Sequence, residues 1–177
     1  MAGRDKLLEP VDGAPLLRRQ ARAAVAAGTG PVAVTLPPDD RTRRAALDGL
    51  DLTLLPVPAA ATGMSASLRA AATWAGARAL LLCPADMPEI TAQDFATMAA
   101  AYRGEPLRAT AADGTPGHPV VFPPALLPLF AGLTGDEGAR SLLRSYPPTP
   151  VTLPGAHATT DLDTPEAWAD WRTKTGR

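Results

Sequence analysis

The sequence predicts an α/β protein built on a doubly wound, mostly parallel sheet, and three observations carry that reading. Short apolar runs rich in β-branched residues alternate with helix-periodic segments along the chain, the order that strand–helix–strand units produce. The run Ala79 to Cys83 is apolar without interruption, as a strand covered on both faces requires. The 20 Pro and 15 Gly are spread between these segments, where elements must stop and the chain must turn.

The elements follow in order. Asp12-Gly13 is a turn, and Pro15 suits the first position of a helix. Leu16, Leu17, Ala21, Ala24 and Val25 recur at helical spacing up to Gly28, which suits the C-terminal cap. Residues 31–36 read as a strand and 52–57 as another. Between them, 38–47 reads as a polar surface helix with Asp39 and Asp40 at its positive end. Gly63 opens an Ala-rich helix to about Ala75, and Thr91 with Asp94 has the capping-box pattern for a helix ending near Gly104. Leu107–Ala111 and Pro119–Phe122 are strands around a Gly-rich loop. Helices at 125–130 and 136–145 precede a strand near Val151–Leu153. Thr164-Pro165 then starts a last helix carrying Trp168 and Trp171, whose spacing suits core or interface.

Composition narrows the function classes. A chain of 177 residues with 46% hydrophobic and 20% charged residues suits one globular domain, spanning 1–177. A net charge of −1 argues against nucleic acid or an anionic membrane as partner. No apolar run approaches the ~18 residues that span a bilayer, and no apolar segment of a signal peptide follows the first charges. The expectation is a cytoplasmic protein. Cys83 is the lone cysteine, so no internal disulfide or cysteine-rich zinc site is possible; it reads as a small buried hydrophobe.

Several constellations can carry chemistry. In Leu80-Leu-Leu-Cys-Pro-Ala-Asp86-Met-Pro88 a buried strand ends and an acid follows in a proline-bracketed loop. Ligands of open α/β sheets bind beyond the carboxyl ends of strands, and a carboxylate there suits a hard cation shared with phosphates. Asp86 capping a turn is the equal alternative. In Asp161-Leu-Asp163-Thr-Pro-Glu166 the two acids share a face if the segment is extended; Asp163 or Thr164 capping the last helix explains the same residues. Lys6, after Gly3-Arg4-Asp5, can place a point charge on a polyphosphate, or belong to a solvated terminus. Gly63-Met-Ser65-Ala-Ser67 offers a glycine turn into a helix start that suits an anion, with Ser65 as an ordinary N-cap the competing reading. His118, between Gly117 and Pro119, is a polar candidate at a site rim. Asp136 and Arg140, among Gly135 and Gly138, fit a capped helix start equally well, and His157 reads as surface. A Ser–His–Asp hydrolase lacks its nucleophile elbow, because Ser67 stands where the second glycine belongs.

Taken together, the motifs resemble the MobA/MocA-like nucleotidyltransferases, which attach a nucleotide to the molybdenum cofactor, within the glycosyltransferase-A-like, Rossmann-like superfamily. The residues that carry the likeness are Met1-Ala-Gly-Arg-Asp-Lys6-Leu-Leu with Asp12-Gly13-x-Pro15, Gly63-Met-Ser-Ala-Ser-Leu68, Asp86-Met-Pro88, Gly117-His-Pro-Val-Val-Phe122, Gly135-Asp-Glu-Gly-Ala-Arg140 and Asp161-Leu-Asp-Thr-Pro-Glu166. The Gly-Met-Ser-Ala-Ser-Leu and Asp-Leu-Asp-Thr-Pro forms are closer to the cytidylyltransferase branch.

The resemblance implies Mg2+-dependent transfer of a nucleoside monophosphate from CTP or GTP to a phosphorylated acceptor, the molybdopterin of the molybdenum cofactor, with release of pyrophosphate. It implies Asp86, Asp163 and Asp161 as metal ligands, Lys6 on the triphosphate, and Gly63, Ser65 and Ser67 near the nucleotide. His118, Asp136 and Arg140 fall on the acceptor side, and a molybdoenzyme or its chaperone is an implied protein partner. Family members begin with a strand and a loop of the form Leu-Ala-Ala-Gly-x-x-x-Arg-Met-Gly, whereas this sequence begins at the Met inside it. A sheet without its first strand and weak activity of the chain as written are therefore expected. The other readings are a sugar-phosphate nucleotidyltransferase, or a non-catalytic nucleotide- or cofactor-binding protein.

Overall fold

The computed structural model describes residues 5–136 and 138–177. A hairpin comes first, β1 (Pro10–Val11) against β2 (Ala14–Pro15), closed by Asp12 and Gly13 with φ of 50° and 77°. Helix α1 (Leu16–Ala26) buries Leu16, Leu17, Gln20 and Ala21, and Gly28 ends it at φ 63°. Strand β3 (Ala33–Leu36) pairs in parallel with β4 (Thr53–Pro56) across α2 (Arg41–Leu47). That helix is shorter than 38–47 because the Asp40 side chain accepts a hydrogen bond from Arg43 N and so starts it.

Helix α3 (Met64–Ala75), strand β5 (Leu80–Leu82) and helix α4 (Ala92–Ala101) follow, the last with the full Thr91–Asp94 capping box. Then come β6 (Leu107–Thr110), β7 (Pro116–Phe122), α5 (Arg140–Ser145), β8 (Thr149–Thr152) and α6 (Pro165–Thr175). The four-stranded sheet runs β5-β7-β6-β8. The α/β class holds with mixed pairing: β3–β4 and β6–β8 are parallel, while β7 runs antiparallel to both β5 and β6. A short connection from β6 back to β7 allows only that direction. Strands β3 and β4 form a separate pair, not hydrogen-bonded to the larger sheet among the described residues.

Three segments depart from the sequence reading. Gly117 and His118 lie inside β7 rather than in a loop. Their register shifts at a bulge opposite Arg108–Thr110, and His118 N donates to Ala158 O at 2.8 Å. Pro124–Gly132 is a 3-10 helix, since Pro128 inside it removes a donor and obstructs the α-helical ladder. The helix expected at 136–145 begins only at Arg140, because Gly135 and Gly138 turn the chain at φ 53° and 61°.

Strand β7 builds a core on both faces. Val120 and Phe122 pack with Leu80, Ala72 and Phe130 on one side, and Val121 with Phe95, Met98 and Leu107 on the other. A third cluster closes the ends of the chain together: Trp168 and Trp171, T-shaped at 6.1 Å, pack on Val11, Leu16 and Leu162. Among the described residues no helix is long and apolar enough to cross a membrane.

Candidate active site

Docking of α6 on the β1 hairpin brings the segment 161–163 alongside residues 5–8. The Asp5 side chain caps the 3-10 turn Lys6–Leu8 through Leu7 N at 3.1 Å. Arg43 grips the same carboxylate from α2 with two bonds, Nε to Oδ2 at 2.7 Å and Nη2 to Oδ1 at 3.0 Å. Held this way, Lys6 directs its ammonium between two acids: Nζ donates to Asp86 Oδ2 at 2.6 Å and also to Asp163 Oδ1. Burial opposes the charge on Lys6, but the bonds from Asp163 and Asp86 outweigh it and raise its pKa above the ordinary value.

Asp86 stands just beyond β5, as open α/β sheets require of a site residue. Its backbone carbonyl accepts a bond from Leu162 N at 3.2 Å, which ties the two acidic segments together. Its Oδ1 is buried without a hydrogen-bond partner among the described residues. Asp161 lies in the same electrostatic neighbourhood: burial first, then the charges of Asp163 and Asp86, push its pKa up, and Lys6 offsets part of the rise. Among the described residues no three His, Cys, Asp or Glu side chains form a complete metal cage. Two carboxylates with one orphaned oxygen instead suit a hard cation that takes its remaining ligands from phosphates and water.

The other predicted residues fall into two groups. At the start of α3, Gly63 (φ 117°) lies so close to the neighbouring loop that a Cβ there would be 2.5 Å from Gly135 C. Met64 N donates to Asp136 Oδ1 at 3.2 Å, and Ser65 N to Gly135 O at 3.0 Å. The Ser65 N-cap reading is corrected here. Gly63 is the N-cap, and Ser65 is 1% exposed with its hydroxyl accepting a bond from Arg69. Ser67 is half-buried. Across the sheet, half-buried His118 keeps Nδ1 without a partner among the described residues. Burial and the Arg108 charge lower its pKa, with Asp86 pulling the other way, so the ring is neutral at pH 7. Arg140 is exposed at the start of α5. Residue 137 lies outside the described residues, as do Gly3 and Arg4 of the first motif.

Sequence reasoning missed four side chains. Asp5 and Arg43 form the clamp that positions Lys6. His157, read as surface, donates or accepts through Nδ1 with Asp94 Oδ2 at 2.9 Å, and Asp94 is 2% exposed. It fastens the approach to Asp161 onto the start of α4. Arg108, on β6, carried no motif at all. Cys83, read as a buried hydrophobe, is half-buried against the cluster of Phe95, Met98 and Val121; burial, with Asp86 and Asp94 adding to it, pushes its thiol pKa far up.

An acid just beyond a buried strand, joined to a lysine and a second acid from distant segments, places a charged cluster where open α/β sheets bind their ligands. The chain belongs to the family of the MobA-like NTP transferase domain, whose model matches residues 1–151, and it is accordingly a nucleotidyltransferase. Among solved structures it is similar to Rv0371c from Mycobacterium tuberculosis, at 28% identity and TM-score 0.76, over 99% of this chain and 90% of that one. A second structure of that mycobacterial protein, a complex with manganese, matches at 27% identity and TM-score 0.74, over 99% and 94%. A nucleotidyl transferase from Methanothermobacter shares the fold at TM-score 0.78 and 17% identity, over 96% and 84%. No curated protein sequence matches.

Proposed function

We propose that the chain transfers a nucleoside monophosphate from CTP, or GTP, to a phosphorylated acceptor, the molybdopterin of the molybdenum cofactor, with Mg2+ as the ion. The observation that carries this reading is the ammonium of Lys6 held between Asp86 and Asp163, which are 77 residues apart in the sequence. In the reaction an oxygen of the acceptor phosphate bonds to the α-phosphorus, the bond to the β-phosphate bridge breaks, and pyrophosphate leaves. No covalent enzyme intermediate is needed, so catalysis consists of positioning and charge neutralisation.

Asp86 and Asp163, with Asp161 beside them, would hold the ion, which supplies Lewis-acid neutralisation of the phosphates. The unpartnered Asp86 Oδ1 and the all-oxygen donor set support that fit. Lys6 moves its charge from the carboxylates to the triphosphate as a point charge. Gly63 and Ser67 lie at the nucleotide end, where the close approach of 135–136 to Gly63 keeps the loop near the start of α3. His118, Asp136 and Arg140 face the acceptor.

Pyrophosphate release from CTP and GTP with Mg2+, measured against molybdopterin and a panel of sugar phosphates, tests the reading. Release driven by molybdopterin is expected. Release driven only by a sugar phosphate reassigns the acceptor, and no release with any of them removes the catalytic reading.

A further inference from the structure

Half-buried arginines in this chain are normally tied down at the fork. Arg18, Arg19, Arg43, Arg69 and Arg172 each commit a terminal guanidinium nitrogen to a carbonyl or carboxylate. Arg108 does not. It donates Nε to Gly117 O at 3.0 Å, and its two terminal nitrogens have no partner among the described residues. Arg44 is likewise anchored only through Nε, to Pro38 O six residues before it. Arg108 also lies near a second arginine: burial first, then the charge of Arg140, disfavours the charge of Arg108. No described acid forms an ion pair with either.

The register explains where this fork lies. Arg108 stands opposite Val120 on β7, and His118 lies in the bulge two residues before Val120, near enough for the Arg108 charge to act on its ring. Gly117 holds the anchor carbonyl in place because its own position is closed: a Cβ there would be 1.7 Å from Ala158 O. Arg108 and Arg140, neither with an acidic partner among the described residues, therefore act on one another, and Arg108 acts on an imidazole whose Nδ1 has no partner among those residues. Such an arrangement is unfavourable empty and is relieved by an oxyanion, which a planar guanidinium binds with two parallel bonds.

We infer that Arg108, together with Arg140 and His118, is the receptor for a phosphomonoester dianion, the phosphate group of the acceptor. The assignment rests on the nucleotidyl-transfer reading for its meaning, and adds to it a specificity-determining residue that no motif marks. An acceptor bearing a free phosphate gains both guanidiniums; a neutral alcohol or a carboxylic acid without the second negative charge does not.

Calorimetric titration of inorganic phosphate into the full chain, alone and after saturation with Mg2+ and a non-hydrolysable CTP analogue, tests the site. Arg108→Gln and Arg140→Gln are each expected to weaken phosphate binding about 10-fold or more, and Arg108→Lys to recover part of the loss. Affinity for the CTP analogue should change less than about 2-fold in these variants. Arg140 is exposed, so its variant remains informative if Arg108→Gln does not fold. Phosphate affinity unchanged in Arg140→Gln, or no phosphate binding by the parent chain, overturns the inference. A parent that binds phosphate through Arg108 but never binds the nucleotide analogue overturns the nucleotidyl-transfer reading and leaves the anion site standing.

Discussion

Asp5 and Lys6 are adjacent yet answer to opposite partners, and the clamp on the first fixes the direction of the second. Arg43's side-chain bonds hold the Asp5 carboxyl below its ordinary value of 3.8, against the opposing effect of burial. A group with a depressed folded pKa contributes stability that is present above its unfolded value and lost as pH falls through the folded one. Asp5→Asn should therefore lower Tm at pH 7 by ~2–4 °C, the equivalent of about 1 kcal/mol in a chain of this size. The gap should close as pH falls below 3.8. Thermal melts of both proteins from neutral to acid pH check this, and a gap independent of pH contradicts it. Lys6 and Asp86 were legible in the sequence because residue type and place agreed: a rare lysine, and an acid just beyond a buried strand. His157 was not. It sits between two alanines, and its partner Asp94 is 63 residues away.

At the level of elements, sequence reading located α1 by the helical spacing of its apolar residues, and α3, α4 and α6 by their start signals at Gly63, Thr91–Asp94 and Thr164-Pro165. It misjudged the elements whose shape is set by single residues. Pro128 turned an α-helical pattern into 3-10 geometry, and two glycines delayed α5. Gly117-His118 lacks strand character in sequence; the bonds from β6 and Ala158 make it strand. The start of α3 is the element on which the proposed nucleotide end of the site depends. Gly63→Ala must open the contact with Gly135 while placing a side chain at φ 117°, so a loss of about 2 kcal/mol or more is expected. Gly138→Ala, where a Cβ would be 3.5 Å from Met64 Sδ, should cost only about 1 kcal/mol through its positive φ. Denaturant midpoints of the two variants read the difference, and equal midpoints would show that the close approach at Gly63 is not constraining.

For the molecule as a whole, the decisive feature is closure of the two ends of the chain. Trp168 and Trp171, buried on Val11, Leu16 and Leu162, carry residues 161–163 to Lys6. The sequence showed both acidic motifs and the lysine but not their meeting, because a contact across 157 residues is decided by how helices dock on a sheet. Free Mn2+ measured by electron paramagnetic resonance, titrated with the chain in the presence and absence of CTP, tests that meeting most directly. The parent should bind the ion best with CTP present. Asp86→Asn and Asp163→Asn should each weaken that binding about 10-fold or more, and Lys6→Gln should strengthen nucleotide-free binding by vacating the space between the carboxylates. Undiminished Mn2+ binding in both Asp86→Asn and Asp163→Asn would contradict the account.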